Sequence, residues 1–189
     1  MSSKIRTFIC VPVPLSVKKT VGGFIKELKA RGGDVKWVSP DNMHLTLKFI
    51  GDVEKTFIEE IASHTAEAVA SFSQFPVEIG GTGAFPNLSR PKVLWVGISR
   101  GSDKLRDLAY AVDQSLEKIG IEKDKRQFSG HLTIGRVRSL KGIEHVAESM
   151  NKNGFKPQIF NAEAVYVMKS VLDSHGPIHS VLNTINLRG

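Results

Sequence analysis

His44-Leu45-Thr46-Leu47-Lys48-Phe49-Ile50 and His131-Leu132-Thr133-Ile134-Gly135 carry the same opening pattern, 87 positions apart. Each is rich in β-branched and apolar residues and reads as a strand. Side chains alternate across a strand, so His44 and Thr46 project from one face, with Leu45 and Leu47 on the other. His131 and Thr133 stand together in the same way, backed by Leu132 and Ile134. Each stretch is therefore half core and half site. One such motif carries little weight, whereas two at equivalent points of a repeat carry a great deal.

The repeat extends outward from these strands. A shift of 87 lays strand 5–11 on strand 92–98, helix 17–30 on helix 104–117, and Gly33 on Gly120. In the first half, Val17, Val21, Phe24, Ile25 and Leu28 fall on one helical face. A second helix follows the His44 strand with Phe57, Ile61, Ala68 and Phe72 inward, and strand 75–82 closes the half. The second half has Leu105, Leu108, Val112, Leu116 and Ile119 along helix 102–119. A short helix carrying Ile143, Val146, Ala147 and Met150 follows, then strands 158–169 and 178–187. No long linker separates the halves. The predicted fold is α+β, with two pseudo-symmetric lobes from an internal duplication. Each lobe is an antiparallel sheet with helices outside, the two interleave within one domain over 1–189, and the cleft lies between them.

Length and composition agree. A chain of 189 residues, 41% hydrophobic and 24% charged, suits one ordinary domain. No apolar run is long enough to span a bilayer, so no membrane association is expected. Met1-Ser2-Ser3-Lys4-Ile5-Arg6 lacks the apolar core of a secretory signal. The lone Cys10 reads as a small buried hydrophobe, and a cytoplasmic setting and a monomer are expected. The net charge of +7 suits a polyanionic partner. Seven basic residues between Lys118 and Lys141, against Glu122 and Asp124, supply +5 of it and are candidates for steering a polyanion such as nucleic acid.

Two imidazoles and two hydroxyls suit phosphodiester cleavage. A base activates the nucleophile, an acid protonates the departing oxygen, and histidine titrates near neutral pH. Hydroxyls and cations can hold the phosphoryl oxygens as charge builds. A metal site lacks a third ligand in the repeated motif, so no metal or other cofactor is expected.

The stretch from Trp37 through Gly51, with Ser39-Pro40-Asp41-Asn42-Met43 before the motif, resembles the first signature of the 2H phosphoesterase superfamily. Gly83-Ala84-Phe85-Pro86 and Pro91-Lys92-Val93-Leu94-Trp95-Val96-Gly97 are similar to the central block of its RNA 2′,3′-cyclic phosphodiesterase family, also called 2′-5′ RNA ligase. Phe128-Ser129-Gly130-His131-Leu132-Thr133-Ile134-Gly135-Arg136 resembles the second signature. The chain departs in having Gly130 where the family often has proline, and Ile178-His179 after Gly176-Pro177 where an aromatic often follows.

The resemblance implies metal-independent hydrolysis of RNA 2′,3′-cyclic phosphate ends to 2′-phosphates. His44 would be the proton donor and His131 the acceptor, with Thr46 and Thr133 on the phosphoryl oxygens. Arg136 is a candidate phosphate clamp, although its odd spacing from His131 sets it on the opposite strand face unless a bulge intervenes. Lys48, at even spacing, is expected on the motif face. Phe85 is a candidate for nucleobase stacking and His179 for the rim of the cleft; His175 lies at the same turn. Alternatives are a 2′-5′ ligase or 2′-5′ phosphodiesterase using the same residues, or a non-catalytic RNA- or nucleotide-binding module.

Overall fold

Strand β1 (Lys4–Pro12) stops where Pro12 and Pro14 deny the ladder its donors. Helix α1 (Leu15–Lys29) then buries Val17, Val21, Phe24, Ile25 and Leu28, the face expected from their spacing. The computed structural model describes residues 4–173 and 176–189. Its further elements are β2 (Val35–Trp37), β3 (His44–Glu54), α2 (Ile58–Val69), β4 (Phe75–Phe85), β5 (Val93–Arg100) and α3 (Ser102–Glu117). After them come β6 (His131–Val137), α4 (Ile143–Asn153), β7 (Gln158–Ala162), β8 (Ala164–Asp173) and β9 (Gly176–Asn186).

Two antiparallel sheets result, one ordered β3-β1-β8-β9 and the other β2-β6-β5-β4-β7. The order β3-β1-β8-β9 maps strand for strand onto β6-β5-β4-β7, so the repeat seen in the sequence is a repeat of sheets. Helices α2 and α3 pack on each other behind the first sheet, with α3 against β3 and α2 against β9. Helix α1 lies with α4 behind the second sheet, where α4 touches β4.

The halves of the chain are not the lobes, and this corrects the place given to strand 75–82. β4 does not close the first half; it pairs with β5 and β7 in the second sheet. The junction between β4 and β5 is short, and consecutive strands joined by a short connection pair antiparallel. The region 158–169 is likewise two strands rather than one. β7 ends at Ala162 in the second sheet, and β8 begins at Ala164 beside β1 in the first. Each half thus lends two strands, β2 and β4 or β8 and β9, and one helix, α1 or α3, to the other lobe. One buried cluster runs from Ile9 and Val11 of β1 through Leu94 and Val96 of β5 to Val165 and Val167 of β8. Cys10 is 1% exposed, and burial pushes its thiol up to about 12, as suits a structural cysteine. No helix among the described residues is long and apolar enough to cross a membrane.

Candidate active site

Both motif strands bury their leucine faces: Leu45 and Leu47 on β3, Leu132 and Ile134 on β6. The opposite faces meet across a cleft of about 740 Å³ between the sheets, lined by His44, Thr46, His131 and Thr133. Residues far apart in the chain thus share one space, because β3 and β6 hold equivalent places in the paired sheets.

Each imidazole is tethered alike. His44 Nδ1 lies 2.8 Å from the Asn42 carbonyl, and His131 Nδ1 lies 2.7 Å from the Ser129 carbonyl. A carbonyl oxygen only accepts, so Nδ1 carries the proton in both rings. The neutral ring then leaves Nε2 as its basic nitrogen. Asn42 does double duty, since its side-chain amide donates to the Pro177 carbonyl at 2.7 Å and so ties the His44 segment to β9.

The surroundings of the two rings differ. Phe8 stacks on His44 with ring centroids 4.6 Å apart, and His179 stands edge-on at 5.2 Å. Burial, then the nearby charge of His179, lowers the His44 pKa to about 4 against the opposing pull of the Asn42 carbonyl. Burial, followed by Lys18, also lowers His179. His131 meets the edge of Phe85 at 5.0 Å.

A bulge in each motif strand decides which later residues face the cleft. Thr46 pairs with Cys10 and Lys48 with Ile9, which leaves Leu47 as an extra residue in β3. Thr133 pairs with Trp95 and Gly135 with Leu94, which leaves Ile134 as its counterpart in β6. Alternation flips at both points. Arg136 therefore lines the cleft despite its odd spacing, and Phe49 lines it as the equivalent residue on the first sheet. Lys48 is correspondingly turned away. It does not share the face of His44 and Thr46, being 2% exposed and bound to Asp113.

The other expected residues sort as follows. His179 lines the cleft, whereas Phe85 packs between His131 and Trp95 and is absent from the cleft lining. His175 lies outside the described residues. The basic stretch is partly neutralised, with Lys123 on Glu117 at 2.7 Å and Lys125 on Glu122 at 3.1 Å. Among the described residues no group of three or more His, Cys, Asp or Glu is placed to hold a metal ion.

Several cleft residues were not singled out from the sequence. Arg6 lies 4.8 Å from the centre of the Phe49 ring, a cation–π contact. Lys36 and Trp37 enter from β2, a three-residue edge strand too short to show a period. Gly135 makes room for β2, since a Cβ there would stand 2.7 Å from Val35 and 3.1 Å from Trp37. The alternation of Arg6 and Phe8 opposite Thr7 and Ile9 was the one available signal, and it did not say which face mattered. Arg6, Lys36 and Arg136 against Asp173 make the lining cationic.

Known proteins resemble this one over nearly its whole length. An RNA 2′,3′-cyclic phosphodiesterase of Thermotoga maritima is 34% identical over 185 residues, covering 97% of this chain and 96% of that protein. One of Archaeoglobus fulgidus is 34% identical over 180 residues, covering 94% and 97%. The crystal structure of TT0787 of Thermus thermophilus matches the fold with a TM-score of 0.81 at 22% identity, over 98% of this chain and 99% of that one. Escherichia coli LigT complexed with 3′-AMP matches with a TM-score of 0.78 at 17% identity, over 99% and 100%. The family model of the 2′-5′ RNA ligase superfamily matches residues 17–173. With two His-x-Thr strands facing one cationic cleft, the chain belongs to that superfamily, the 2H phosphoesterases.

Proposed function

We propose that this chain is an RNA 2′,3′-cyclic phosphodiesterase that opens the cyclic phosphate to a 2′-phosphate without a metal ion. The observation that carries this reading is the pair of His-x-Thr faces, each imidazole tethered through Nδ1, lining one cleft. Curated relatives of that name at 34% identity support it.

His131 takes a proton from water through Nε2 as the water oxygen bonds to phosphorus. The bond from phosphorus to the 3′-oxygen breaks, and His44 gives that oxygen its proton. Thr46 and Thr133 donate to the phosphoryl oxygens, and Arg136 adds a guanidinium to their growing charge. His44 has its pKa lowered to about 4 in the open cleft, so it is loaded as an acid when the phosphodiester anion stabilises its imidazolium. Phe49, with Arg6 over its ring, offers the stacking surface for a base that Phe85 does not. The substrate is an RNA or oligonucleotide end, and the protein acts as a cytoplasmic monomer.

The test is incubation with a 2′,3′-cyclic nucleotide, resolving 2′- from 3′-phosphate. A 2′-phosphate supports the reading; a 3′-phosphate, or no hydrolysis, overturns it. A cyclic substrate with sulfur replacing the departing 3′-oxygen needs no proton donor. It restores turnover to His44→Ala and not to His131→Ala; the reverse exchanges the two roles.

A further inference from the structure

Lys48 is the only charged side chain among the described residues that is buried, at 2% exposure. Its ammonium is held at three points: Asp113 of α3 at 2.5 Å, the Glu122 carbonyl at 2.7 Å and the Asp124 carboxylate at 3.4 Å. Asp113 also accepts the Asp124 backbone N–H at 3.2 Å. A buried ion pair contributes little net stability compared with apolar side chains of the same size. What an apolar residue cannot supply is two directed hydrogen bonds and a further ion pair, and here they join β3, α3 and the segment leading into β6.

That segment, residues 121–130, has neither helix nor strand structure. It nevertheless carries the Ser129 carbonyl that orients the His131 ring. The equivalent carbonyl on the other sheet, that of Asn42, sits in a 3-10 turn (Pro40–Asn42) braced by the bond from the Asn42 side chain to Pro177. The His44 tether thus has local structure of its own. The His131 tether has none, and the Lys48 contacts stand in its place. Residues 123–128 also fold over Leu47, the bulged neighbour of Lys48, around a cavity of about 430 Å³.

We propose that Lys48 is a positioning residue for His131: by anchoring the 121–130 segment from β3, it sets the carbonyl that aims the imidazole of the opposite sheet. The proposal rests on the reading that His131 exchanges a proton at the phosphodiester. It ties the two motifs together, since the strand that presents His44 on one face holds the approach to His131 on the other.

The test compares Lys48→Met and Lys48→Arg with wild type on a 2′,3′-cyclic mononucleotide, and follows both Nδ1–H resonances in ¹⁵N-histidine-labelled protein. Lys48→Met is expected to lower kcat by about 10-fold or more with KM within about twofold, because only aim is lost. The His131 Nδ1 proton should exchange faster, the His44 proton should not change, and Lys48→Arg should recover both rate and signal. If Lys48→Met does not fold, Asp124→Ala serves instead, because that carboxylate is 52% exposed and its loss is tolerable. It should loosen the same His131 signal alone. A folded variant with an unchanged His131 signal, or one disturbing both histidines equally, overturns the proposal. Failure of the functional reading is distinguishable, because wild type would then hydrolyse nothing while the imidazole signals still report on the tether.

Discussion

A tethered imidazole makes a good proton carrier because its ring is aimed before substrate arrives. His44→Ala and His131→Ala should each cut turnover by about 10²-fold or more while leaving the fold intact, as steady-state kinetics and circular dichroism will show. His44 also makes the stability of the fold depend on pH. His44 has an ordinary value of 6.5 and a folded value of about 4. Between those values the unfolded chain holds the extra proton, so stability is complete above pH 6.5 and falls as pH drops toward 4. The loss is on the order of 3 kcal/mol, measurable by urea denaturation across that window, and His44→Asn should flatten the slope. His179→Asn removes a neighbouring charge that helps lower His44, so an NMR titration should find His44 shifted upward. No shift there would dismiss the coupling between the rings.

At the scale of the element, the paired bulges at Leu47 and Ile134 settle what each motif strand offers beyond its threonine. Simple alternation puts Lys48 in the cleft and Arg136 behind it; one extra residue per strand reverses both. A bulge is invisible in a sequence because it depends on how the ladder matches the strand to distant partner residues, which here lie on β1 and β5. Arg136→Ala should lower kcat/KM by roughly 10- to 100-fold, the worth of a charged hydrogen bond to phosphate. Phe49→Ala should raise KM on oligonucleotide ends by several-fold with a smaller effect on kcat, as loss of base stacking does. Unchanged KM would remove Phe49 from the substrate surface. The same residues show how far the sequence can be read: the histidines and threonines precede the bulges and line the cleft as alternation expects, Arg136 lines it only because of the bulge, and Lys48 is turned away.

For the whole molecule, exchange of β4 and β8 between lobes means that neither half of the chain can complete its own sheet. Leu132, fully buried behind His131, should cost about 2–5 kcal/mol when cut to alanine, read as a lowered urea midpoint. Hydrolysis should persist in EDTA, since no step calls on a metal ion; strict dependence on added divalent cation would overturn that. The amino-acid sequence by itself determined the repeat, the helical faces, the two His-x-Thr pairs and the sign of the charge, because each follows from local periodicity or composition. Only the tertiary structure decided which sheet each strand joins, which side chains turn into the cleft beyond the bulges, and that Lys48 grips the far loop. Those outcomes depend on pairings between distant segments, which no local pattern encodes.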